Sequence, residues 1–77
     1  MKIALKFSTQ TKIYNGDIDY QQIVNFSNKE FNLKNGTYTL TFLDEDEDEI
    51  TLCTNADLAI LSDLNKDKTI VKVYIKL

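Results

Sequence analysis

Seventy-seven residues make room for one small domain, residues 1–77, and for no second one. An apolar share of 43% argues against disorder, and no apolar run approaches the roughly 20 residues of a membrane span, so no membrane partner is expected. The formal net charge of −3 hides an asymmetry: Asp44 to Glu49 is an unbroken run of six carboxylates, which leaves the remainder positive by three.

Ile3, Leu5 and Phe7 alternate with Lys2, Ala4 and Lys6, the pattern of a half-buried strand with lysines on its open face. Ser8 to Thr11 reads as a polar turn, and Lys12-Ile13-Tyr14 as the second strand of a hairpin, broken by Asn15-Gly16. Asp17 or Asp19 can cap a helix whose apolar face is Tyr20, Ile23, Val24 and Phe31; Ser27 interrupts that stripe and Phe26 lies off it. Asn35-Gly36 ends this unit. Tyr38, Leu40 and Phe42 alternate with threonines in a strand running to Leu43, and Ile50 to Cys53 forms its hairpin partner across the acidic run. Thr54 or Asn55 caps a short second helix carrying Leu58, Leu61 and Leu64. Val71, Val73, Ile75 and Leu77 then line one face of a last strand, with Lys72, Tyr74 and Lys76 opposite. The order ββαββαβ predicts an α+β fold, a ubiquitin-like β-grasp with a mixed sheet and one main helix packed on it. Its first and last strands are neighbours, which would gather Lys2, Lys6, Lys72 and Lys76.

Acidic runs are normally solvated loops or tails. Held between two strands, this one becomes a charged surface on a rigid support. Phe42-Leu43-Asp44-Glu45-Asp46-Glu47-Asp48-Glu49-Ile50-Thr51-Leu52, followed by Asp57-Leu58, resembles the OPCA motif of the Phox-and-Bem-one domain, here the PB-one domain. That motif has an aromatic residue, acids at alternate positions, a hydrophobic strand and an acidic–leucine pair opening a helix. Asp44, Asp46, Asp48 and Asp57 fall on the acidic positions, with Glu45 and Glu49 as auxiliaries. Lys6 falls where basic-type members carry their first-strand lysine, Lys12 resembles the basic position of the second strand, and Ile70 to Lys76 resembles the last strand.

The resemblance implies a protein–protein interaction module. PB-one domains dock front to back, an acidic face on a basic face, and a member with both faces can extend into chains. The implied partner is a PB-one domain of the same or another protein, in a homo- or hetero-oligomer weakened by salt. One departure stands out. Members often have glycine at the position of Glu47, where it eases a positive φ, so Glu47 suggests a different turn shape.

Other classes fit less well. Phosphates would be repelled by the acidic run, which removes nucleic acid as its partner. All nine basic residues are lysines, so planar bidentate contacts are unavailable. Asp44, Asp46 and Asp48 copy the first ligands of a calcium-binding loop, but its glycine position is Glu49 and its closing glutamate position is Asn55, so no metal is expected. The chain has no histidine and no glycine-rich phosphate loop, so neither an enzyme nor a cofactor is expected. A conjugated modifier would need a di-glycine tail, whereas the sequence ends Tyr74-Ile75-Lys76-Leu77; a ubiquitin-like binding module with unrelated partners is the nearest alternative. The single Cys53 excludes an internal disulfide framework and suits a reducing, cytoplasmic compartment.

Overall fold

Alternation dictates the first hairpin. β1 (Lys2–Phe7) buries Ile3 and Leu5 on one face, and β2 (Gln10–Tyr14) returns antiparallel, with Ile3 opposite Tyr14 and Leu5 opposite Lys12. The computed structural model describes residues 2–77. The turn is shorter than the polar stretch implied: Ser8 takes a φ of 56°, and Gln10 and Thr11 already pair in β2.

α1 (Tyr20–Glu30) starts at Asp19, not Asp17, because the Asp19 carboxylate accepts the Gln22 N–H at 3.1 Å. Ser27, the interruption in the apolar stripe, is fully buried. Its hydroxyl donates to the Ile23 carbonyl at 2.9 Å, so the small polar side chain enters the core satisfied. Phe26, off the stripe, packs edge-on against Tyr14 with ring centroids 5.3 Å apart. The helix ends before Asn35-Gly36: Asn32 takes a left-handed φ of 55°, a conformation asparagine tolerates better than most residues.

β3 (Thr39–Leu43) and β4 (Glu49–Leu52) pair antiparallel, Leu40 opposite Leu52 and Leu43 opposite Glu49. Tyr38 lies outside the strand and donates its hydroxyl to Asn28 of α1 at 2.7 Å. β4 stops before Cys53, whose N–H is taken by the Asp57 carboxylate at 2.7 Å. α2 (Asn55–Leu64) is capped by Thr54; it buries Leu58 and Leu61 and leaves Leu64 about half exposed, outside the core expected for it.

β5 (Ile70–Lys76) runs up the centre of a five-stranded sheet ordered β2-β1-β5-β3-β4, parallel to β1 and antiparallel to β3. This is the α+β arrangement the sequence predicts. Ile3, Leu5, Leu40, Phe42, Leu52, Val71, Val73 and Ile75 form one core with Ile23, Leu58 and Leu61 of the helices. Each such side chain contributes about 1.5–3 kcal/mol by leaving water. The helix N-termini are tied together: Asn55 accepts the Tyr20 N–H at 2.6 Å and donates to Asp19 at 3.1 Å. Among the described residues no helix is long and apolar enough to cross a membrane. The opposite face of the sheet, which carries Lys6, Lys72 and Tyr74, is left without a helix.

Candidate interaction faces

The acidic run becomes a tight connection because its first residue organises the others. Asp44 Oδ1 accepts the N–H groups of Asp46 at 2.9 Å and Asp48 at 2.8 Å. The Asp44 N–H donates to the Asp48 carbonyl at 3.0 Å, and the Glu47 N–H donates to the Asp44 carbonyl at 3.0 Å. An aspartate that takes its own backbone in this way replaces water at amides that would otherwise splay the loop. Glu47 adopts a left-handed φ of 64°, so it takes up the kind of backbone conformation that a glycine would ease. The expected change of turn shape is therefore absent at this φ; the cost is steric strain in Glu47 itself.

The carboxylates of Asp44, Asp46 and Asp48 bring oxygens within 4.8 Å of one another. At that range each pair repels by about 1 kcal/mol in a water-like dielectric. One cation can therefore face all three. Asp46 and Asp48 are exposed and Asp44 is half-buried. Glu45 is exposed beside them.

Asp57 stands apart from this group. It follows β4, whereas the acidic turn precedes it, and the four residues of β4 span about 10 Å. Asp57 Oδ2 accepts the N–H groups of Cys53 at 2.7 Å and Thr54 at 3.1 Å, while Thr54 Oγ1 accepts the Asp57 N–H at 3.3 Å. These reciprocal bonds are a capping box that starts α2. Burial pushes the nearby Tyr20 hydroxyl above its ordinary pKa, and charge on Cys53 and Asp57 pushes the same way. Glu49 is held by Lys76 in the one ion pair among the described residues.

The lysines are arranged by register. Lys6 lies opposite Thr11 of β2 and Tyr74 of β5, on the open face and half-buried. Lys12 lies opposite Leu5 on the edge strand, so it belongs to the other side of the sheet. The structure therefore does not bring Lys6 and Lys12 together on one face. Lys72 shares the open face with Lys6, since Ala4 pairs with Lys72. Lys6 makes no ion pair among the described residues, and β5 separates its strand from β3, where the acidic turn begins.

Between turn and sheet lies a depression of about 450 Å³ that the sequence did not mark. Ala4, Leu43, Ile70 and Tyr74 line it, together with the acidic Asp44, Glu45 and Glu47 and the basic Lys68 and Lys72. Leu43 and Ile70 remain 46% and 44% exposed. A signal was present in the sequence: both fall out of phase with the buried residues of their strands, Leu40 and Phe42 in one and Val71 and Val73 in the other.

No protein-family model matches the chain, and no curated protein matches its sequence. Among solved structures it is similar to the "AtNBR1-PB1 domain", with a TM-score of 0.79 and 12% identity over 99% of this chain and 94% of that one. A likeness this complete at so low an identity is one of backbone architecture. This chain has the fold of a PB-one domain.

Proposed function

We propose that this chain is a PB-one-type interaction module that docks front to back with copies of itself. Asp46 and Asp48 receive the neighbour's Lys6, and Asp44 shapes the turn while adding charge. The observation that carries this reading is the separation of unlike charges on one body. Lys6 is free of any ion pair among the described residues, and the three-carboxylate group stands beyond β5. Opposite charges that cannot meet within one chain can meet between two, and such contacts fix register and speed encounter.

Asp57 and Glu49 support the acidic face at a distance, one through the cap of α2 and one through its pair with Lys76. Lys12 adds positive charge at the sheet edge rather than a contact beside Lys6. A partner lysine meeting Asp46 and Asp48 leaves water on both sides, so removal of either member costs about 2–5 kcal/mol of association.

The test uses two variants. Lys6→Glu and Asp46→Lys each abolish self-association in sedimentation of the pure domain, and each retains one intact face. Mixed, they form a one-to-one complex that weakens as salt rises. Two variants that still assemble singly, or that ignore each other when mixed, overturn the reading.

A further inference from the structure

Thr41 is buried on a face of the sheet that no helix covers. β3 alternates, so Thr39, Thr41 and Leu43 share the open face while Leu40 and Phe42 enter the core. Thr39 and Leu43 are exposed, yet Thr41 is only 2% exposed, and its hydroxyl has no hydrogen-bond partner among the described residues. A buried hydroxyl left unpaired is costly.

The register identifies what covers it. β3 lies between β5 and β4, and Thr41 stands opposite Tyr74 on one side and Thr51 on the other. Lys76 stands opposite Thr39, and Glu49 opposite Leu43. The two charged residues therefore occupy opposite corners of a block centred on Thr41, and the ion pair that joins them crosses that centre. Lys76 and Glu49 form a strap from β5 to β4 above the Thr41 side chain. Its ends stay about half exposed, 53% for Lys76 and 43% for Glu49. An ion pair in such a setting favours its closed form by no more than about fivefold. Opening returns the Thr41 hydroxyl to water, which narrows that margin.

We infer that the Lys76–Glu49 strap is a latch that docking opens: the neighbour's Lys6, drawn to Asp46 and Asp48, takes Glu49 from Lys76, and Thr41 is wetted as the strap parts. This rests on the front-to-back reading and adds a conformational step to it. In the free chain Glu49 serves the acidic face only through its pair with Lys76; in the complex it joins Asp46 and Asp48 as a further carboxylate. A partner that meets the open form better shifts the chain towards that form, and the apparent affinity is reduced by the fraction that is closed beforehand.

The experiment uses the one-to-one complex of the Lys6→Glu and Asp46→Lys chains. Every further change is placed in the Lys6→Glu chain, whose acidic face is the one in use. Lys76→Met opens the strap in advance and tightens the complex about threefold in calorimetric titration. With Glu49→Gln also present the gain disappears, whereas a gain due only to the lost positive charge would remain. Thr41→Val acts in the opposite sense. It replaces the unpaired hydroxyl by a methyl group, raises the melting temperature of the free chain and holds the strap shut, so the complex weakens about twofold. In the Lys76→Met chain, with no strap to hold, Thr41→Val leaves the affinity unchanged. Unchanged affinity after Lys76→Met, or a gain that survives Glu49→Gln, overturns the latch and leaves front-to-back docking intact. If the Lys6→Glu and Asp46→Lys chains never form a complex, both fall.

Discussion

The two charged regions are built to different standards. The acidic turn is heavily cross-braced: Asp44 holds two backbone amides of its own turn, and downstream Asp57 closes the cap of α2. Lys6 is braced by nothing polar; it projects from a strand fixed by Ile3 and Leu5 on the opposite face. The difference has a physical origin. A cluster of like charges must be restrained, or it would spread to relieve its repulsion, whereas a lone ammonium on a flexible stem finds its own position. Substitutions that remove these braces therefore disturb folding, while substitution of Lys6 leaves folding nearly untouched.

Asp57→Ala and Lys6→Glu break that comparison most directly. Loss of the Asp57 carboxylate frees the N–H groups of Cys53 and Thr54 and costs about 1–2 kcal/mol of stability. In a domain of this size that lowers the melting temperature by about 4–8 °C for each kcal/mol. Lys6→Glu changes stability by less than about 0.5 kcal/mol, because its head group has no partner to lose. Thermal unfolding of the two variants side by side checks the contrast; equal shifts would show that bracing is not what separates the two ends.

Glu47→Gly sharpens it within the acidic end. Glycine removes the left-handed strain of about 1–2 kcal/mol, and gives back about 0.5–1 kcal/mol through its freer unfolded chain. The net gain is about 0–1.5 kcal/mol in chemical denaturation. Because Asp44, not residue 47, supplies the bonds that shape the turn, self-association falls far less than with Asp46→Lys. A glycine variant that unfolds more easily would mean that the Glu47 side chain stabilises the turn.

Sequence reasoning reached the elements and their order because each is encoded locally. Alternation placed all five strands, and capping residues placed both helices. What it missed depends on who meets whom in space. Ser27 looked like a defect in the helix stripe, yet its hydroxyl is satisfied one turn back. Asp57 matched both a docking motif and a helix start, but its reciprocal bonds with Thr54 and Cys53 emerge only in the folded chain. Lys12 was grouped with Lys6 through its resemblance to the family's second-strand basic position, although it shares strand parity with the buried Tyr14 and so lies on the other side of the sheet. The bridge from Asn55 to Asp19 and the Glu49–Lys76 pair join residues distant in sequence, and no local pattern announces them.

The smallest expected effect separates the two ends through their tyrosines. Tyr14 belongs to β2 at the basic side, and its hydroxyl donates to the Asp17 carbonyl at 2.5 Å. Tyr38 leads into β3 on the acidic side and donates to Asn28. Burial raises both pKa values above 10.0; the Asp17 and Asp19 charges add to the effect at Tyr14, and Tyr20 adds at Tyr38 against an opposing hydrogen bond with Ser27. A folded-state pKa above the unfolded one means that the native chain keeps its proton while the unfolded chain releases it. The stability each tyrosine contributes is thus complete below pH 10 and is lost as the pH climbs through the raised value. Tyr14→Phe and Tyr38→Phe each flatten the fall of melting temperature above pH 10 without altering its course near neutrality. A phenylalanine variant whose melting temperature falls above pH 10 as steeply as that of the parent chain would show that its tyrosine plays no part in the alkaline limit of this fold.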